Sequence, residues 1–280
     1  MRNKIIMMNP NDFKDIIYEP EENGIVTVTL NRPERKNAMS FNTALELKHA
    51  AKIFDKDKNL KVMIITGCEE SDIFNSGGYF DPRVFKEIPD EWKSEVDLRD
   101  MASKDFGLVY WDISKPVIFA INGPAIGGGI TFPIVCGDLI YMADDAWLAM
   151  YFVKRAVVPD FATTYLLPFI VGLAKAREMF YFGDHISAEE AEQLGIINKA
   201  VPKEELMDYA REQALRLIPP KGPSKSISFI KTIINKAFRD IIAEQADHEN
   251  YGWKKCITTK DNRESMAALK EKREPHFIGK

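Results

Sequence analysis

Short apolar runs with β spacing alternate along this chain with longer stretches of helical spacing. Gly24-Ile-Val-Thr-Val-Thr-Leu30 alternates β-branched and apolar residues and reads as a strand. The charged loop Asn31-Arg-Pro-Glu-Arg-Lys-Asn37 follows, rigidified by Pro33. Ser40 is placed to cap a helix running to about Asp57, with Leu45, Ala50, Ile53 and Phe54 on its buried side. Val62 to Thr66 is a short buried strand that leads to Phe74-Asn-Ser-Gly-Gly-Tyr-Phe-Asp81, a glycine pair directly after a strand. Residues 82–100 are polar, contain Pro82 and Pro89, and predict a mobile loop or short helices. A helix from about Met101 to Ile113 then delivers the chain to its most informative stretch.

Residues 117–131 read Val-Ile-Phe-Ala-Ile-Asn-Gly-Pro-Ala-Ile-Gly-Gly-Gly-Ile-Thr. A strand is broken at Asn122-Gly123-Pro124, three glycines follow, and an apolar helix runs from Ile130 to Cys136. Glycines at a helix entrance let the backbone approach a ligand closely and leave the first amides pointing outward, where the helix dipole favours negative charge. They equally allow strand and helix to pack tightly, and the triplet alone leaves both readings open. Further strands are predicted at Asp138 to Met142 and Trp147 to Phe152, then a loop at Val157-Val-Pro-Asp160 and an amphipathic helix from Phe161 to Val171. Ser187-Ala-Glu-Glu190 has capping-box spacing. From Lys203 the pattern is helical, interrupted at Pro219-Pro220 and Gly222-Pro223. This is an α/β chain in which strand–strand–helix units recur irregularly. A composition shift divides it into a core, residues 1–202, and a helical region, residues 203–280.

Composition narrows the function. With 280 residues, 45% of them hydrophobic, the chain can bury a core for one large domain, or one plus a small appendage. A net charge of −4 with both signs mixed argues against a nucleic-acid partner, which calls for a basic face. Cys68, Cys136 and Cys256 lie far apart without metal-ligand spacing and read as reduced thiols, so no metal is expected. Met1 to Pro20 contains no long apolar segment, so a cytoplasmic protein with no membrane partner is expected.

Two glycine-bearing turns, each after a strand and about fifty residues apart, resemble those of the crotonase (enoyl-CoA hydratase/isomerase) family. Asn31-Arg-Pro33 with Asn37-Ala38, Ser76-Gly-Gly78, Ile121-Asn-Gly123 with Gly127-Gly-Gly129, Gly195-Ile-Ile-Asn198 and the closing Glu271-Lys-Arg273 fit the same pattern in order and spacing. The resemblance implies a spiral of ββα units with a C-terminal helical trimerisation region, assembled as a homotrimer or a dimer of trimers. It implies an acyl-CoA thioester as substrate and no separate cofactor, coenzyme A being part of the substrate. It places the two amides of an oxyanion hole on Gly78 and Gly128. Removing a proton next to a thioester puts negative charge on its oxygen, and one preorganised donor to such a charge is worth roughly 2.7–4 kcal/mol. The first turn reads Gly-Gly-Tyr-Phe-Asp where the family often has Ala-Gly-Ala-Asp, a change that keeps the amide. Tyr79, Phe80 and Asp81 are then expected near the substrate. Arg32, Arg35, Lys36 and Ala38 are expected at the mouth, facing CoA phosphates, although a charged loop is also ordinarily just solvated.

Carboxylates distinguish the reactions. The family's hydratases use two acids, whose positions align here with Thr131 and Phe152; neither can accept a proton, and Gly127 to Cys136 contains no Asp or Glu. Thr131 and Phe152 become candidate substrate contacts instead. One acid remains nearby, Asp160, at the place where the family's isomerases resemble this chain in carrying a single catalytic carboxylate. Its neighbours Val157, Val158, Pro159 and Phe161 would desolvate it, raise its pKa and suit it to take and return a proton. The plainer alternative is that Asp160 N-caps the following helix. The resemblance thus implies an isomerase shifting a double bond from a 3-enoyl-CoA to a 2-enoyl-CoA. Dehalogenases of the family share the Asp but rely on a His in the preceding helix, and residues 101–114 contain none. An atypical hydratase, a hydrolase or a catalytically silent CoA-binding protein stays open, because fold does not fix reaction.

Overall fold

The computed structural model describes residues 7–78 and 84–280. In chain order its elements are β1 (Ile16–Pro20), β2 (Ile25–Leu30), α1 (Phe41–Lys56), β3 (Val62–Gly67), α2 (Lys104–Asp112), β4 (Val117–Ile121), β5 (Ala125–Ile126) and α3 (Gly128–Cys136). They continue as β6 (Leu139–Ala143), β7 (Trp147–Ala149), α4 (Thr163–Val171), α5 (Leu173–Phe182), β8 (His185–Ser187), α6 (Ala188–Gln193), β9 (Lys199–Val201), α7 (Leu206–Arg216), α8 (Ser224–Cys256) and α9 (Lys260–Glu271). Six strands form one sheet in the order β1-β2-β3-β4-β6-β9; β5, β7 and β8 form a second. Only β1 is antiparallel in the larger sheet, with Ile16 opposite Leu30, and the other neighbours run parallel. Every residue of β3 and β4 is buried, which is why these strands read as continuous apolar runs rather than alternating ones.

Local signals account for much of this. Ser40 and Thr43 form a reciprocal capping box that starts α1, and both hydroxyls also donate to Asp15 Oδ2, at 3.0 and 2.6 Å. Leu45, Ala50 and Phe54 are buried as the periodicity predicts, whereas Ile53 is half-buried. The segment before α2 contains short 3₁₀ turns, Val84–Glu87 and Lys93–Glu95. Ser187 caps α6 by accepting from the Glu190 amide. Several boundaries differ from the sequence pattern, α2 starting at Lys104 rather than about Met101 and α3 at Gly128 rather than Ile130. The strand predicted to reach Phe152 ends at Ala149, because the chain turns into the 3₁₀ segment Val153–Arg155. The helix predicted from Phe161 begins at Thr163, because Phe161 and Ala162 hold left-handed φ angles of 58° and 60°.

The parallel strands deliver both glycine turns to the same end of the sheet. Asn122, just past β4, exchanges two hydrogen bonds with Gly67 at the end of β3, at 3.2 and 2.9 Å. Loops at the carboxyl ends of neighbouring parallel strands are where ligands bind in sheets of this kind. After residue 203 the helices part company. Leu206, Ala210 and Ala214 of α7 belong to the same buried cluster as the sheet. By contrast, α8 leaves Phe229, Ile230, Ile233 and Ile234 exposed, and α9 leaves Met266 and Leu269 exposed. Among the described residues no helix is long and apolar enough to cross a membrane.

Candidate active site

Asn75 stitches the two glycine turns together. Its carbonyl accepts the Ile126 amide at 2.9 Å and its Oδ1 accepts the Gly77 amide at 2.7 Å. A side chain on Gly129 would place Cβ 2.4 Å from the Asn75 carbonyl oxygen, so that glycine is required by close packing. Gly77 is required twice over, by a φ of +96° and by the Ile126 carbonyl 2.9 Å from where its Cβ would lie. Gly128 differs. Its missing Cβ opens toward Gly78 N, 3.7 Å away, and Asp160 Oδ2, 3.3 Å away. Within the triplet, Gly129 lets backbones touch, and Gly128 keeps a space clear. Among the described residues, neither the Gly78 nor the Gly128 amide donates to a protein acceptor. Gly128 begins α3, so its N–H also carries the positive end of that helix's dipole.

That space is the inner end of a cavity of about 510 Å³, walled by Gly78, Gly128, Asp160, Met39, Phe106 and Phe161. It widens past Leu45 to a charged rim that includes Lys48, Asp97, Arg99 and Asp105. Lys48 is held there by Asp105 Oδ2 at 2.6 Å and by the Glu95 carbonyl at 3.2 Å. Met39, Phe106 and the rim charges carry no sequence signal that sets them apart from core or surface residues.

Asp160 is only 4% exposed. Burial pushes its carboxyl up from 3.8 to about 8, and the Glu249 charge adds to the rise. The Thr131 hydroxyl opposes it by donating to Asp160 Oδ1. This division leaves Oδ2 as the oxygen that faces the cavity. Thr131 Oγ1 also lies 3.3 Å from the Gly127 carbonyl, so its single proton has two acceptors within reach. With Asp160 ionised the hydroxyl serves Oδ1; with Asp160 protonated it can turn to Gly127 and accept instead.

The capping alternative for Asp160 fails. The cap of α4 is Ala162, and no side chain from its own segment bonds the first turn. Glu249 from α8 does that work, accepting the Ala162 amide at 2.6 Å, the Thr164 amide at 3.0 Å and the Thr164 hydroxyl at 2.6 Å. The left-handed Phe161 and Ala162, each costing roughly 1–2 kcal/mol, turn Asp160 out of the helix and toward Gly128. No local pattern in the sequence marks Glu249, which stands 89 residues from Asp160.

Other expected contacts lie elsewhere. Thr131 is fully buried and reaches the cavity only through Asp160. Phe152 is buried with its ring about 3.8 Å from where a Gly127 Cβ would lie, behind the wall rather than on it. Arg32 is not at a phosphate-facing mouth: its guanidinium turns inward, 3.5 Å from both Asp15 Oδ2 and the Ala38 carbonyl. Burial among partners is the better place for a side chain with such acceptors nearby. Ala38 is buried, next to the Met39 amide that donates to Gly77 at 2.8 Å. Arg35 and Lys36 are exposed, and the Lys36 carbonyl accepts the Ser76 amide, which sets that cation beside the first turn. Tyr79, Phe80 and Asp81 lie outside the described residues.

Among the described residues, two amides without a protein acceptor and one carboxyl oxygen meet at the inner end of this cavity, an arrangement that can hold an oxyanion and move a proton beside it. Known proteins are similar to this chain in sequence and fold. A family model described as enoyl-CoA hydratase/isomerase matches residues 20–280. A crotonyl-CoA hydratase of Syntrophomonas wolfei is 31% identical over 271 residues, covering 96% of this chain and 99% of that protein. A 1,2-epoxyphenylacetyl-CoA isomerase of Escherichia coli is 31% identical over 269 residues, covering 95% and 99%. The solved enoyl-CoA hydratase/isomerase of Pseudoalteromonas atlantica superposes with a TM-score of 0.82 at 25% identity, over 95% of this chain and all of that one. With the fold, the paired glycine turns and a match across nearly its whole length in agreement, this chain belongs to the enoyl-CoA hydratase/isomerase, or crotonase, family.

Proposed function

We propose that this protein is an acyl-CoA isomerase that shifts a double bond from a 3-enoyl to a 2-enoyl thioester, with Asp160 as the acid and base. The thioester oxygen sits between the Gly78 and Gly128 amides. Asp160 Oδ2 takes a proton from C2, the resulting enolate is held by the two amides, and its electrons form the C2–C3 double bond as the proton returns at C4. One proton leaves and one arrives, so no outside oxidant or reductant is needed. The observation that carries this reading is that, among the described residues, Asp160 supplies the one carboxyl oxygen at the amide pair, where the two hydratase positions hold Thr131 and Phe152. A carboxyl raised to about 8 suits the role, because an acid–base catalyst works best with a pKa near the working pH.

Hydration is the second reading, favoured by relatives named as hydratases. It would ask Asp160 alone to activate water and to supply the proton. A panel of acyl-CoA thioesters, followed for isomerisation, water addition and thioester loss, separates the two. Isomerisation of a 3-enoyl-CoA as the dominant activity supports the proposal. Hydration as the dominant activity, or CoA binding with no turnover, overturns it. The exposed Phe169 and Leu173 on α4 and α5, with Phe229 and Ile233 on α8, form apolar surface of the kind buried between subunits. We read them as contacts of a trimer or a dimer of trimers, working in the cytoplasm.

A further inference from the structure

Glu249 is a second buried carboxylate near the site, 3% exposed, yet it does not line the cavity. Both of its oxygens are met by donors: Oε2 by the Ala162 amide, Oε1 by the Thr164 amide and hydroxyl. The Thr164 hydroxyl in turn accepts from Gln245 Nε2 at 2.8 Å. Residues on the same stretch of α8 hold the neighbouring backbone. Trp253 Nε1 donates to the Pro159 carbonyl at 3.2 Å. Asn250 Oδ1 accepts the Ala102 amide at 2.9 Å, and the Ala102 carbonyl accepts the Phe161 amide at 2.9 Å. Residues 245, 249 and 253 are spaced to share one helix face. That face clamps the chain immediately before and after Asp160.

Resting on the acid–base role proposed for Asp160, we infer that Glu249 is a positioning residue: its two oxygens hold the left-handed Phe161–Ala162 backbone that aims Asp160 into the cavity. An ordinary helix cap would serve only the amides inside the first turn. Glu249 also binds Ala162 N, on a residue outside the helix in a conformation that side-chain-bearing residues keep only when their surroundings enforce it. Its charge acts on Asp160 as well. Among the described residues, the groups coupled to Asp160 are Glu249 from α8 and the Cys136 thiol from α3, the latter neutral because burial pushes it far up. Lys48, Asp97, Arg99 and Asp105 stand farther out, at the rim of the same cavity.

The test compares wild type with Glu249→Gln and with the double variant Glu249→Gln/Ala162→Gly, all as full chains. Gln offers one oxygen and one NH₂, so it cannot accept at both ends. With a 3-enoyl-CoA, kcat should fall roughly tenfold to a hundredfold, the loss expected when a hydrogen bond to a charged group is broken. KM should stay within about twofold, since substrate contacts are untouched. The Asp160 carboxyl, observed by ¹³C NMR and assigned by its absence in Asp160→Asn, should titrate at lower pH once the neighbouring charge is gone. Ala162→Gly should restore most of kcat, because glycine adopts the left-handed region freely. Unchanged kcat with an unchanged Asp160 titration would overturn the inference, and so would a loss that Ala162→Gly does not repair. If Glu249→Gln alone does not fold, the double variant decides: kcat within about threefold of wild type supports positioning, and a tenfold or larger loss overturns it. If wild type turns over no enoyl-CoA, the isomerase reading fails, while the Asp160 titration still decides what Glu249 does.

Discussion

Replacing Asp160 with Asn should make the protein more stable and less active at once. In the folded chain the carboxyl titrates at about 8 instead of 3.8, because it is buried and faces the Glu249 charge. The sign follows from linkage. A group with a raised folded pKa contributes its full stability below its unfolded value and loses it as pH rises toward the folded value. Stability therefore drains away between about pH 4 and pH 8. At roughly 1.4 kcal/mol per pH unit, the loss reaches about 4 kcal/mol by pH 7. Asn keeps the shape and has an oxygen for the Thr131 hydroxyl, but it has no proton to take up. Thermal unfolding followed by circular dichroism should show Asp160→Asn melting several degrees above wild type at pH 7 to 8, with the two converging near pH 4. Isomerisation should fall by roughly a hundredfold to ten-thousandfold, the usual worth of general acid–base catalysis. In wild type, kcat/KM should rise with pH up to about 8 as Asp160 ionises, then level off. Wild-type turnover in the Asn variant would refute the mechanism. A melting temperature lowered at pH 7 would refute the account of a strained, buried carboxyl.

Thr131→Val removes the donor to Asp160 Oδ1 and should lower kcat about tenfold while raising the pH at which activity appears, whereas Thr131→Ser should behave nearly as wild type; pH–rate profiles decide this. Gly129→Ala forces a Cβ to within 2.4 Å of the Asn75 carbonyl and should cost about 1–3 kcal/mol of stability along with most activity, read by melting and turnover. Neutralising Arg35 and Lys36 together should weaken CoA binding at low salt by calorimetry, while Arg32→Met, which breaks the contact to Asp15, should instead lower the melting temperature. Light scattering at micromolar concentration should give a mass three or six times that of the chain, and a monomer would remove the assembly reading.

Much of this architecture was legible residue by residue. The capping box at Ser40 and Thr43, the unbroken apolar runs of β3 and β4, and the glycines after each strand are local features. They act through neighbours within a few positions, so the chain announces them without its fold. Family likeness then narrowed the chemistry to Gly78, Gly128 and Asp160, and the structure brings those three to one cavity. What the chain could not announce depends on partners far along it. Arg32 reads as a solvent-facing cation in a charged loop until β1 brings Asp15 beside it. Thr131 reads as a wall of the site until Asp160 is seen to take its hydroxyl. Phe161 and Ala162 carry ordinary helix-compatible side chains, and their left-handed turn is met by partners far along the chain, Glu249 of α8 at the Ala162 amide and the Ala102 carbonyl at the Phe161 amide. Periodicity and capping are short-range and written in the sequence; a buried charge needs a partner that only the folded chain can bring to it, because removing a carboxylate from water is tolerable only where donors already surround it.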